Sequence, residues 1–216
     1  MNAHPLPPIF ILIALLSGCV SVDQASQPNY QETRKAAIGR PTGGTEDGNR
    51  VAEAALDLVG VRRLDVNGRR FNFDCTGTIL AAYYAAGYDL AAGFGAYTGN
   101  GVRRLYLMAD DYGTLTNGEP LRPGDIIFWD NSYDRNGDGR WNDELTHAGI
   151  VVAVEGDGTV SYVHHNYRRG VVIASMNPRR PSDMDRNSPM RMASHRWAES
   201  DPWLSGELYR AHGALY

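Results

Sequence analysis

The chain has 216 residues, of which 43% are hydrophobic and 21% charged, with 24 glycines and 11 prolines. That length accommodates one globular domain with a sizeable core plus a leader, and the composition excludes collagen-like, wholly disordered and coiled-coil chains. A formal charge of −4 removes the sequence-independent attraction on which nucleic-acid binding rests, so no nucleic-acid partner is expected.

Near the N-terminus, Ile9 to Leu16 (IFILIALL) is an apolar run. It is shorter than the roughly 20 residues a spanning helix needs, and small residues follow it, as in a secretory leader. Leu16-Ser17-Gly18-Cys19 resembles the lipobox of bacterial lipoproteins. The resemblance implies a signal peptide over 1–18, a diacylglycerol on the Cys19 thiol, and attachment to the membrane through that lipid. By the same resemblance, Val20 in place of aspartate favours the outer membrane of a Gram-negative envelope, facing the periplasm. An ordinary signal peptide with an incidental cysteine is the alternative. An acylated Cys19 cannot pair with Cys75, the second of the two cysteines, which leaves one reactive-thiol candidate in the exported chain.

Residues 19–48 are polar, rich in Gly, Pro, Ser and Gln, and lack apolar periodicity; a flexible tether is expected there. A single domain is expected over 49–216. The spacing predicts a helix over 51–58 and another over 74–86 (DCTGTILAAYYAA), with Asp74 as N-cap and Gly87 past its end. A short helix is expected over 103–111. Strands follow at 125–129, 147–154, 159–165 and 171–175, the middle two joined by a turn at Glu155-Gly156-Asp157-Gly158. Helices first and an antiparallel sheet after them make an α+β domain. The stretch 178–216 has no assigned role.

A nucleophilic thiol needs a lowered pKa, which a helix N-terminus and a neighbouring imidazole supply. Cys75 stands at the start of its helix, and His147 opens a strand. If Val154 faces Thr159 across the hairpin, His147 lies opposite Asn166 and Gly149 opposite His164. Residues two apart share a face, so His147, His164 and Asn166 project together and His165 points away. A one-residue bulge would exchange His164 for His165.

These blocks carry a resemblance. FDCTGTI (73–79), LRPGDIIFW (121–129), HAGIVVAV (147–154) and VHHNYRRGVVIASMN (163–177) resemble, in order, the cysteine, strand, base and third-residue segments of NlpC-type cell-wall cysteine peptidases. GDGTVSYVHHN also resembles the corresponding strand of the related CHAP amidases and peptidases, with Asn166 near their polar residue. The resemblance implies a papain-like fold with the catalytic cysteine at a helix N-terminus packed on an antiparallel sheet. It implies Cys75 as nucleophile, His147 as general base and His164 as the group orienting it, with no cofactor for catalysis. The expected function is cleavage of peptide bonds in peptidoglycan stems or cross-links. The alternatives are an N-acetylmuramoyl-alanine amidase of the CHAP kind and a non-catalytic peptidoglycan-binding lipoprotein. Two departures stand out: Thr76 replaces the usual serine, and VRRLDVNGRRFN stands where the NlpC family has Tyr-x-x-Gly-Gly.

Before the base strand, Asp134, Asn136, Asp138, the Arg140 carbonyl and Asn142 follow the ligand spacing of an EF-hand loop, with Gly139 at the turn position. Leu145 occupies the twelfth position, where glutamate is expected, and Asp143 and Glu144 come just before it. The expectation is a structural Ca²⁺ clamp; the alternative is a solvated loop.

Overall fold

The computed structural model describes residues 28–118, 120–191, 196, 198 and 200–216. The leader, with Cys19, lies outside the described residues. In chain order the elements are α1 (Pro28–Ile38), α2 (Glu46–Asp57), β1 (Leu64–Val66), β2 (Arg69–Phe71), α3 (Cys75–Ala85), α4 (Gly101–Asp111), β3 (Ile126–Trp129), β4 (His147–Val154), β5 (Val160–Asn166), β6 (Gly170–Met176) and β7 (Tyr209–Gly213). β1 and β2 form a hairpin; the other five strands form one antiparallel sheet in the order β6-β5-β4-β3-β7. The domain is α+β. Among the described residues no helix is long and apolar enough to cross a membrane.

Strand alternation divides the core in two. Ile126, Phe128, Ala148, Ile150, Val152, Val163 and Ile173 pack with α2, α3 and α4, through Val51, Ala55, Ile79, Ala82, Val102 and Leu105. Ile127, Trp129, Val151, Tyr162, Ala174 and Met176 form a second cluster on the opposite face, under Leu121 and Leu208. The helices begin where side chains satisfy their first N–H groups: the Thr45, Asp74 and Asn100 side chains accept from Gly48, Gly77 and Arg103 at 3.0, 2.7 and 2.8 Å.

The expected tether over 19–48 is corrected in its described part. Residues 28–38 are helical and docked on β6, an edge strand of the sheet. The Gln31 side chain accepts from Ile173 N at 2.7 Å and Arg34 donates to Ile173 O at 3.3 Å. Without α1, those backbone groups would be left for solvent or for another chain.

The β4–β5 hairpin reaches the expected pairing by a different route. Val154 faces Val160 rather than Thr159, so the turn is longer than expected. A bulge then takes up one residue: Ala153 faces Ser161, but the next pair is Val151 with Tyr162, then Ile150 with Val163. Beyond the bulge the register is the anticipated one, and it brings Gly149 beside His164.

Candidate active site

Asp74 sets where α3 starts. Its side chain caps Gly77 N, its backbone carbonyl accepts the Thr78 hydroxyl at 2.8 Å, and Cys75 becomes the first helical residue. The preceding chain crosses this turn so closely that a Cβ on Gly77 would lie 1.9 Å from the Asn72 carbonyl oxygen. Cys75 is a free, part-buried cysteine. The backbone N–H of Ala148 and the hydroxyl and backbone N–H of Thr76 are directed toward its sulfur and favour the thiolate. The helix start thus brings the thiol to the backbone of Ala148, the second residue of β4.

His147 and His164 project on the same face of the sheet, as strand parity required. His147 Nε2 and His164 Nδ1 are 2.8 Å apart, with the rings at 89°. Trp129 and Tyr162 flank them, with ring centroids 5.8 Å from His147 and 5.2 Å from His164. Trp129 is itself fixed by donating Nε1–H to Ser205 O at 2.8 Å. Space for this pair depends on Gly149, where a Cβ would sit 2.9 Å from Val163 O and 3.2 Å from the His164 Cβ.

With Nε2 engaged by His164, Nδ1 is the other ring nitrogen of His147. Among the described residues, thiol and imidazole are not hydrogen-bonded to each other. Burial pushes the Cys75 thiol up to about 11, assisted by the Asp74 charge. Burial also holds His147 down at about 4, with a contribution from the His165 charge. Burial and the His147 charge hold His164 well below the usual histidine range. The resting pair is therefore a neutral thiol and a neutral imidazole.

The two secondary residues take other roles. His165 points to the opposite face, where its ring meets Phe73 edge-on at 4.6 Å between centroids. Asn166 is committed to the β5–β6 turn: its side-chain oxygen accepts from Arg168 N and Arg169 N at 3.0 and 3.1 Å.

Sequence reasoning missed Tyr133. It is 41% exposed, and its hydroxyl pKa is raised by burial and by the nearby Cys75. The preceding residue ties it to the base: Ser132 donates its N–H and its hydroxyl to the Thr146 hydroxyl oxygen at 2.9 and 2.8 Å, and Thr146 directly precedes His147. A tyrosine in a polar loop carries no periodic signal, so only the fold reveals this placement.

The acidic loop largely satisfies itself. Asp134 accepts from Gly137 N and Gly139 N, Asn136 from Asp138 N, and Asp138 from Arg140 N and the Asn142 side chain. Asp143 is buried and accepts from Arg135 N at 3.0 Å, while Glu144 lies 3.4 Å from Arg210 and 3.7 Å from Arg103. Glu144 is thus drawn away from the other expected ligands. Among the described residues no group of three or more His, Cys, Asp or Glu side chains is gathered as a metal site.

The family model of the CHAP domain matches residues 65–166, from β1 to the end of β5, and so contains Cys75, His147 and His164. No curated protein and no solved structure matches the chain.

Proposed function

From the CHAP domain that this chain carries at residues 65–166, a domain of peptidoglycan-hydrolysing amidases and peptidases, we infer a cysteine hydrolase that cleaves peptide bonds in stem peptides or cross-links. The observation that carries the reading is the 2.8 Å contact of His147 with His164, beside the strand residue whose N–H meets the Cys75 sulfur. A binding module has no need of a cysteine at a helix start and a buried imidazole pair on the adjoining strands.

The chemistry follows from the neutral resting pair. The thiol attacks the carbonyl carbon while His147 Nδ1 takes its proton, and His164 holds the ring in the tautomer that leaves Nδ1 unprotonated. The tetrahedral intermediate collapses to a thioester, and the proton passes from His147 to the departing amine. Water, deprotonated by His147, then releases the acyl group and restores the thiol. The backbone N–H groups at the start of α3 supply positive potential for the oxyanion. The second reading is cleavage of the sugar–peptide amide, the reaction of a CHAP amidase. Digestion of purified muropeptides with product identification by mass spectrometry tests the proposal: free amino acids or shortened peptides support a peptidase, and intact stem peptides released from glycan support an amidase.

Lipid attachment at Cys19 and an outer-membrane position facing the periplasm belong to the same proposal, supported by the LSGC segment. Only residues 20–27 separate that cysteine from α1, a reach of at most about 30 Å. The domain would thus work close to the membrane. A calcium ion in the acidic loop is the remaining part. With Glu144 drawn to Arg210, its protein ligands would come from Asp134, Asn136, Asp138, Asn142 and the Arg140 carbonyl, which points to a weak structural site.

A further inference from the structure

Among the described residues, two exposed guanidinium groups, on Arg62 and Arg168, lack a carboxylate partner. Three arginines of the β1–β2 region are paired: Arg63 and Arg70 with Asp65, and Arg69 with Asp89. Arg62 and Arg168 are exposed, and among the described residues neither side chain makes an ion pair or a hydrogen bond. The fold brings their segments together. Gly60 N–H donates to Val171 O at 3.0 Å. A Cβ on Gly170 would lie 3.9 Å from the Val61 carbonyl oxygen and 3.3 Å from the Phe73 ring. The chain entering β1 and the β5–β6 turn are thus backbone neighbours. Phe73, 41% exposed and two residues before Cys75, lies against the same glycine. The Asp74 carboxylate caps Gly77 N and makes an ion pair with neither arginine among the described residues.

We propose that Arg62 and Arg168 form a carboxylate-binding subsite, which holds a free carboxylate of the peptide substrate while Phe73 takes its apolar portion. The inference rests on the hydrolase reading above and adds a selectivity to it: a peptide with free carboxylates is taken in preference to its amidated form. Guanidinium suits this role, being permanently charged and able to meet a carboxylate through two parallel N–H groups. Because both arginines are exposed, the preference should weaken as salt screens them.

The test is calorimetric titration of full-length Cys75→Ala with two ligands: stem peptide released from purified peptidoglycan, and the same peptide with its carboxylates converted to carboxamides. The acidic form is expected to bind about tenfold more tightly. The difference should shrink in about 0.5 M salt and vanish when Arg62→Gln and Arg168→Gln are added. Equal affinity for the two ligands, including no measurable binding of either, overturns the subsite, as does a preference that survives the arginine substitutions. Turnover by the wild-type protein judges the hydrolase reading separately, because the binding experiment uses a chain without the thiol.

Discussion

His164 engages His147 through its Nδ1 at 2.8 Å, while its own Nε2 is buried without a hydrogen-bond partner among the described residues. The second imidazole is thus spent on the first and is held by packing against Tyr162. His164→Ala should lower kcat by about 10²-fold or more, the scale of a misdirected general base. His165→Ala, on the other face against Phe73, should change kcat by less than about threefold, well short of that scale. Steady-state rates on a purified muropeptide decide the ranking, and the reverse order would contradict the hairpin register.

The pH dependence of activity follows from the neutral pair. His147 sits at about 4, so it remains an unprotonated base through the range where an ordinary histidine becomes protonated. The acid limb of kcat/KM should fall near pH 4, with no inflection at 6.5, on protein verified as folded by circular dichroism. An inflection near 6.5 would contradict the buried, neutral base.

Stability should respond in the same acid range. His147 and His212 are both held at about 4, below their unfolded value. The unfolded chain therefore binds more protons between pH 6.5 and 4. Their contribution is complete above about 6.5 and declines as pH falls, by up to about 1.4 kcal/mol per pH unit for each group. Asp125 acts in the opposite sense: burial raises it to about 6, so it stabilises the fold at low pH and loses that contribution as pH rises through 6. The melting temperature should be lower at pH 5 than at pH 7, and Asp125→Asn should steepen the fall. A flat profile in the wild-type chain would contradict both assignments.

Ser132 and Thr146 close the loop directly onto the base strand. Ser132→Ala removes one of the two bonds and should cost about 1–2 kcal/mol. It should also lower kcat, because His147 follows Thr146 with no intervening residue. Unchanged kcat together with a lowered melting temperature would show that this tie supports the fold alone.

The acidic loop offers a simpler measurement. If calcium is held there, it raises the melting temperature by mass action, about 2.7 kcal/mol at a hundredfold excess over Kd. Asp134→Ala/Asp138→Ala should abolish the rise, and magnesium should substitute poorly. Superimposable curves in calcium and in chelator would show a loop held by its internal hydrogen bonds.

The parts of the site legible in the sequence are those set by local chemistry. Asp74 before an alanine-rich run announces a capped helix beginning at Cys75, and the β4 and β5 patterns place two histidines on one face. The bulge between Val151 and Ala153 was hidden, because nothing in the run of valines marks the extra residue; a longer turn compensated for it. β7 escaped because YRAHG has no apolar alternation; it is a strand through its pairing with β3. α1 escaped for a similar reason. It has a weak apolar stripe, and its place comes from Gln31 and Arg34 meeting the edge of β6. The Asn67-Gly68 turn, with both residues at positive φ, was a readable hairpin signal for β1 and β2.

The central claim is that the Cys75 thiol performs the chemistry. Its most direct test is the hydrolysis of purified muropeptides by the wild-type chain and by Cys75→Ala, with both proteins shown to be folded. Turnover is expected of the first and none above background of the second. Muropeptide turnover that persists in Cys75→Ala would contradict it.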